Sequence, residues 1–247
     1  MKDLHNHLLY GIDDGSDSLE ESIKLLNELE QEGVTDIVVT PHYIIGTNYN
    51  SNNKTKKKIL NELKKYTRIN LYLGNEVYID NNIIEYIKKD EITTINDSKY
   101  LLVELPLNEK LNSYMNILFN LRKEGYIPII AHPERYHYFD IEDLVQIVES
   151  GCLLQGNITS LSNRYGIAAK KNLVLLLKKH MIHLLGTDTH KHVTDLSDCL
   201  KKLKEIINYD MFNDITELNF DKVINNEEIV QYEIINTNNF FRKEHIR

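Results

Sequence analysis

The sequence predicts an α/β chain whose parallel strands close into a TIM-like (β/α)7 barrel. Three observations predict it. Seven short β-rich runs alternate with longer amphipathic runs, 247 residues suit one such barrel, and polar side chains follow directly on every apolar run. Strands separated by helices need right-handed crossovers and pair in parallel. Closure is the better reading, because an open sheet brings only a few strand ends to one crevice.

In chain order the strand-like runs end near His5, Thr40 (DIVVT), Gly74 (INLYLG), Leu105 (YLLVEL), Ala131 (IPIIA), Gln155 (CLLQ) and Thr187 (IHLLGT). Between them, Leu19, Ile23, Leu26 and Glu30 trace one helix, and Leu111, Met115, Leu118 and Arg122 a second. Ile141, Leu144, Val145 and Val148 trace a third, and Ala169, Leu173, Leu176 and Leu177 a fourth. The polar stretch Thr47 to Asn53 (TNYNSNN) lies between a strand-like and a helix-like segment and is expected as a loop over the site. Lys54 and Lys56 to Lys58, opening the helix near Ile59 and Leu60, are expected to form a solvated face. Past residue 210, Phe212, Ile215, Leu218 and Phe220 are expected to close the outer layer, with Ile224 beginning a last helix or tail. The terminal run NTNNFFRKEHIR reads as loosely attached. No boundary favours two domains, so residues 1–247 are taken as one.

In a barrel the chemistry gathers at the C-terminal ends of the strands. There the sequence places His5 and His7, then Pro41-His42, Asn75-Glu76, Glu104, His132-Pro133-Glu134-Arg135, Gly156-Asn157 and Asp188-Thr189-His190. Residues i and i+2 of an extended strand point the same way, so His5 and His7 can reach one ion. Alone, each of these residues has an ordinary structural reading: a core histidine, a solvated loop carboxylate, a turn asparagine. Glu104 argues otherwise, since it sits inside the apolar run LLVEL, where a buried unpaired carboxylate costs several kcal/mol and a cation is the simplest compensation. With Asp14 from the first loop, the set is His5, His7, Asp14, His42, Glu76, Glu104, His132, Asp188 and His190. At roughly four to six ligands per ion, this set implies two or three metals sharing a cleft. Imidazole mixed with carboxylate suits zinc, manganese or iron, not calcium.

Composition narrows the setting. A formal net charge of −8 argues against general attraction to nucleic acid. No run approaches the roughly 18 apolar residues of a membrane span, and Met1 leads straight into the first strand without a signal-like segment, so no membrane insertion and a cytoplasmic location are expected. Cys152 and Cys199 stand far apart, read as small core residues, and suggest a reducing compartment. The fifteen tyrosines are amphipathic surface or rim residues by default, some of them able to stack on substrate rings.

The segments DLHNH, GIDDGS, TPHY, GNEVY, INDSKYLLVELP, IIAHPERY and GTDTH, in this order, resemble the polymerase-and-histidinol-phosphatase superfamily of metal-dependent phosphoesterases. More closely they resemble its manganese-dependent bacterial protein-tyrosine phosphatases of capsular and exopolysaccharide production. The likeness runs from residue 1 to about residue 192. It implies a distorted (β/α)7 barrel and hydrolysis of phosphotyrosine by a metal-activated water, with two or three Mn2+ as cofactor and Fe or Zn as substitutes. By position, His5, His7, Glu76 and Asp188 would hold a first metal. Glu76 would bridge to a second held by Glu104 and His132, and Asp14, His42 and His190 would hold a third. Arg135 would grip the phosphate, and with Asp188 and His42 it forms the expected catalytic group. A second phosphate-binding arginine is implied soon after Asp188-Thr189-His190. Here that stretch reads KHVTDLSD and has none, leaving Lys191 or His192 as substitutes.

The partner implied is a phosphotyrosine-containing protein, such as the tyrosine-rich tail of a bacterial membrane-linked tyrosine kinase. Two alternatives share the motifs: a small-molecule phosphatase of the histidinol-phosphate kind, and a metal-binding regulator without turnover. No thiol mechanism is expected, because the fifth and sixth residues after Cys152 are Asn157 and Ile158, where a Cys-x5-Arg loop would end in arginine.

Overall fold

The computed structural model describes residues 1–235; the terminal run NTNNFFRKEHIR, including His245, lies outside them. The strands are β1 (Lys2–Asn6), β2 (Asp36–Val39), β3 (His42–Tyr43), β4 (Asn70–Leu73), β5 (Glu76–Tyr78), β6 (Tyr100–Glu104), β7 (Ile127–Ala131), β8 (Leu153–Asn157) and β9 (Leu184–Gly186). All seven expected runs are present. They form two parallel sheets, in the orders β1-β2-β4 and β3-β5-β6-β7-β8-β9. The ring closes between the first and last strands: Asp188 N–H donates to His5 O (2.9 Å) and His7 N–H to Thr189 O (3.0 Å).

The distortion lies between β2/β4 and β3/β5. Pro41 interrupts the first pair, lacking an N–H for the ladder. Asn75 interrupts the second, and its side-chain amide donates to Pro41 O at 2.9 Å, tying the two breaks together. Glu76 and His42 therefore open short strands of their own and pair in register, instead of trailing from strand ends as expected. Gly156 and Asn157 likewise are the last residues of β8, not a turn beyond it.

The helices cover the outer face. In α1 (Leu19–Gln31) the Ser18 side chain accepts from Glu21 N–H, and Leu25, Leu26 and Leu29 are buried in one stripe. Each of those leucines contributes roughly 1.5–3 kcal/mol by leaving water. In α2 (Asn53–Leu63) the lysine-rich face is exposed at Lys54, Lys57 and Lys58, but Lys56 is fully buried, contrary to expectation. Its ammonium donates to Asn75 Oδ1 and Glu91 O and stands 5.5 Å above the Tyr43 ring. The short α3 (Ile83–Lys88) follows, then α4 (Tyr114–Lys123). Next come α5 (Ile141–Glu149), with an Asp140/Asp143 capping box, and α6 (Gly166–Lys178). The chain then runs through α7 (Leu196–Ile206), α8 (Tyr209–Asn213) and a π turn to α9 (Asn219–Ile224). Cys152 and Cys199 are free, buried core residues. Among the described residues no helix is long and apolar enough to cross a membrane.

The core has two parts. The larger lies between helices and strands. The smaller fills the barrel interior, with Leu4, Val38, Leu102, Ile129, Ala131, Leu153 and Leu184 from six strands, and Phe220 and Val223 of α9 pack into it. Three expectations are corrected here. Phe220 joins the interior rather than the outer layer, meeting Tyr72 edge-on at 5.9 Å, and Ile224 ends a helix instead of beginning one. Ile215 does belong to the outer core, with Phe212 packed against it, while Leu218 is exposed, contrary to expectation.

Candidate metal centre

The nine candidate ligands converge at one end of the barrel. Three groups of ligand atoms lie within 4.8 Å of one another: His7, Asp14, His42 and His190; His5, His7 and Glu76; and His42, Glu76 and Glu104. His132 joins through Nε2, 3.0 Å from Glu76 Oε1. Asp188 Oδ1 lies 3.4–3.6 Å from nitrogens of His5, His7 and His190. Glu76 is the hub, within 3.3 Å of His5, His7, His42 and His132.

The backbone supports this crowding at specific points. His132 (φ 35°) and Asp188 (φ 52°) both adopt the left-handed conformation that residues with a Cβ rarely take, turning the chain sharply as it leaves β7 and β9. Gly15 and Gly186 leave room where the chain passes closest. A Cβ on Gly15 would fall 2.1 Å from His7 O, and one on Gly186 2.5 Å from His5 Cβ.

Several positioning residues were not legible in the sequence. His5 Nδ1 donates to Gln155 Oε1 at 2.9 Å, and Gln155 Nε2 donates in turn to Asn157 Oδ1. His7 Nδ1 is 2.8 Å from Asp13 Oδ2, which also accepts from His42 N–H. A carboxylate or amide on the far ring nitrogen fixes the tautomer and turns the near nitrogen's lone pair into the site. Asp13 could have been suspected from its place beside Asp14 in GIDDGS; Gln155 gives no local signal. Asn157 is not a free turn residue, because its amide donates to Asp188 Oδ2 at 2.8 Å. Tyr165 O–H donates to the same oxygen, also at 2.8 Å, and the Arg135 guanidinium pairs with it at 3.2 Å while stacking 4.5 Å from the Tyr165 ring centre.

With both Nδ1 atoms so engaged, the Nε2 atoms of His5 and His7 face each other at 3.0 Å. Two lone pairs at that distance repel unless a positive charge lies beside them. Burial opposes charge on His5, but Glu76 and Asp188 outweigh it and hold its pKa up at about 9. Burial would raise Glu76, yet His5 and His42 press it well below the ordinary range. Glu104 goes the other way, to about 8, through burial and the Glu76 charge beside it. His132 is pushed down to about 4, mainly by burial and then by Arg135. His132 Nδ1 and His42 Nδ1 are buried without a hydrogen bond, although the latter lies 3.1 Å from Glu76 Oε2. Five imidazoles and four carboxylates thus crowd one site, and this set fits divalent cations bound by imidazole and carboxylate.

Lys191 does not turn toward the cluster. It pairs with Asp17 at 2.6 Å and Glu21 at 3.7 Å at the start of α1. His192 contributes its carbonyl, which accepts from Arg164 Nη1 at 3.1 Å. Arg164 also reaches Thr194 Oγ1 and lies 5.7 Å from the Tyr165 ring centre. Arg164 is thus a cation that meets this loop from a different strand's loop, after β8.

Comparison with known proteins fits this arrangement. Residues 1–225 match the family model described as capsular polysaccharide synthesis, CpsB/CapC. CapC of Staphylococcus aureus is 41% identical over 211 residues, 82% of each chain. The tyrosine-protein phosphatase CpsB of Streptococcus pneumoniae is 31% identical over 202 residues, 77% of this chain and 83% of that one. A chain from the crystal structures of Bacillus subtilis YwqE and Streptococcus pneumoniae CpsB, unique metal-dependent tyrosine phosphatases, superimposes with a TM-score of 0.86. It covers 96% of this chain and 100% of that chain at 24% identity, which establishes the shared fold. On the family match and the sequence identity together, this chain belongs to the CpsB/CapC family of capsular polysaccharide synthesis.

Proposed function

We propose that the chain is a metal-dependent protein-tyrosine phosphatase, a phosphoric monoester hydrolase acting on phosphotyrosine in a partner protein. The observation that carries this reading is the convergence of nine imidazole and carboxylate side chains, acceptor-rich and partly open to solvent, beside the Arg135 guanidinium. In it His5, His7, Glu76 and Asp188 would hold one ion, Glu76, Glu104 and His132 a second, and Asp14, His42 and His190 a third. Bound cations supply Lewis-acid polarisation of phosphoryl oxygens and a nucleophile from water near neutral pH.

The chain's own residues do the rest. Asp188 is the anchor, because its two oxygens face the histidines on one side and Arg135, Asn157 and Tyr165 on the other. Arg135, held over the Tyr165 ring, directs its remaining N–H donors at the phosphate; a planar fork suits two oxygens at once. His42 stands at the mouth, where the leaving oxygen departs. A phenolate, with a pKa near 10, needs little protonation to leave, so tyrosine esters ask less of that position than alkyl esters do.

Manganese as the resident metal, a membrane-linked tyrosine kinase as the partner, and the cytoplasm as the setting belong to the same reading. The names of the relatives support phosphotyrosine as the substrate and a role in capsule synthesis; the metal, the partner and the setting follow from the sequence resemblance. The test is hydrolysis of phosphotyrosyl, phosphoseryl and histidinol phosphate substrates by metal-stripped protein, with manganese, zinc, iron or magnesium returned singly. Phosphotyrosine turnover restored by manganese is expected. Faster cleavage of histidinol phosphate would replace this reading with a small-molecule phosphatase, and no turnover despite bound ions would replace it with a regulator.

A further inference from the structure

The cluster is unevenly open to solvent. The side chains of His5 and His7 are 0% exposed, whereas those of Asp14, His190 and His42 are 53%, 23% and 13% exposed. Asp14 is the most exposed of the nine ligands, so a phosphoryl group can approach across Asp14, His42 and His190. Beside this opening stands one ring for which the reaction so far has no use. Tyr49, half-buried in the loop between β3 and α2, lies nearly parallel to the His42 imidazole, with the planes 14° apart and the centres 5.9 Å apart.

The ring is held there by its backbone. Ile44 N–H donates to Tyr49 O at 2.6 Å, Tyr49 N–H donates to Thr47 Oγ1 at 3.1 Å, and Thr47 Oγ1 donates to Ile44 O at 2.9 Å, so residues 44–49 form a closed turn. Among the described residues the Tyr49 hydroxyl has no hydrogen-bond partner. Three other tyrosines near the site are engaged: Tyr165 with Asp188, Tyr136 with Leu105 N–H, and Tyr138 with Pro106 O.

We propose that Tyr49 is a specificity-determining residue, the aromatic wall of a subsite that takes the aryl group of the phosphomonoester. An ester's ring lies one P–O–C linkage from the phosphorus, so a phosphoryl group over the cluster places that ring at the rim, where Tyr49 can stack or meet it edge-on. A serine or sugar ester presents nothing of that shape. Aromatic pairing of this kind corresponds to about a three- to ten-fold preference. The inference rests on the phosphatase reading, which it deepens by naming the part of the substrate that Tyr49 contacts.

The test compares wild type, Tyr49→Phe and Tyr49→Ala as full-length, metal-loaded protein. With phenyl phosphate and O-phosphoserine as substrates, Tyr49→Ala should lower kcat/KM for the aryl ester about three- to ten-fold, mainly through KM, and leave the alkyl ester unchanged. Tyr49→Phe should match wild type. Calorimetric binding of phenylphosphonate against methylphosphonate should show the same loss of preference without any turnover. Equal losses on both esters would make Tyr49 a loop-packing residue and overturn the proposal, as would an undiminished aryl preference in Tyr49→Ala. If wild type turns over neither ester, the phosphatase reading fails, and the phosphonate comparison still decides whether Tyr49 selects the ring.

Discussion

Asp3 and His5 sit two residues apart on β1, both fully buried, yet they belong to opposite kinds of polar cluster. The Asp3 carboxylate accepts from Thr187 N–H (2.8 Å), Thr187 Oγ1 (2.6 Å), Asn6 Nδ2 (2.8 Å) and His5 N–H (3.2 Å). Its negative charge is answered by four donors, and nothing further is required of the surroundings. His5 faces His7, Glu76 and Asp188, where lone pairs and carboxylates outnumber the donors. A closed polar network holds the barrel seam between β1 and β9; an open one is left to be completed by a ligand. Burial alone does not tell them apart, because both cost desolvation, and the donor count does.

The largest expected effect comes from breaking the open cluster at its hub. Glu76→Gln should lower phosphotyrosine hydrolysis about 10³-fold, since the charge faces four imidazoles, and the number of ions bound per chain should fall with it. Metal analysis beside steady-state kinetics checks both; full ion occupancy with normal turnover would place the hub elsewhere.

Breaking the closed cluster should read out differently. Asp3→Ala leaves the Thr187 and Asn6 donors without their acceptor and should cost about 3 kcal/mol in chemical denaturation. Ion stoichiometry at low temperature should not change. A loss of bound metal at unaltered stability would reverse the assignment of the two clusters.

His183 sharpens the contrast from outside the site. Its Nδ1 accepts from Leu154 N–H at 3.1 Å, its Nε2 is buried without a partner, and burial pushes its pKa down to about 4. The unfolded chain binds this proton below about pH 6.5 and the folded chain only near 4, so acid favours unfolding. Its contribution is present above pH 6.5 and is lost as pH falls toward 4, about 2 kcal/mol between pH 7 and pH 5. His183→Gln should flatten that part of the stability profile, and an unchanged slope would show that other groups carry it.

Arg135→Ala is expected to have the smallest effect, raising KM for aryl phosphates about ten-fold while the Tyr165 and Asn157 hydrogen bonds keep Asp188 in place. A collapse of metal binding in this variant would make Arg135 part of the ion site rather than of the phosphate site.

Much of the molecule was legible because local rules and global fold agree. The seven apolar runs are the staves of the barrel, and the polar residues after them meet because parallel strands in a closed sheet end at one rim. Glu104 could be singled out from one line of sequence, since a carboxylate inside LLVEL has no local partner. Lys56 could not. Its neighbours Lys54, Lys57 and Lys58 are exposed, and only the jog at Asn75 and the Tyr43 ring behind it make one lysine of the run an interior residue.

By itself, then, the sequence determined which side chains could bind metal and that they share one end of a barrel, because ligand chemistry and strand period are properties of residue type and spacing. Tertiary structure alone decided which side chains orient the ligands. Gln155 reaches His5 across 150 positions, Tyr165 reaches Asp188 across 23, and Lys191 is drawn away from the cluster to Asp17 and Glu21. These are contacts between elements that no local pattern records, since hydrogen-bond partners at a barrel rim are set by closure of the sheet and not by distance along the chain.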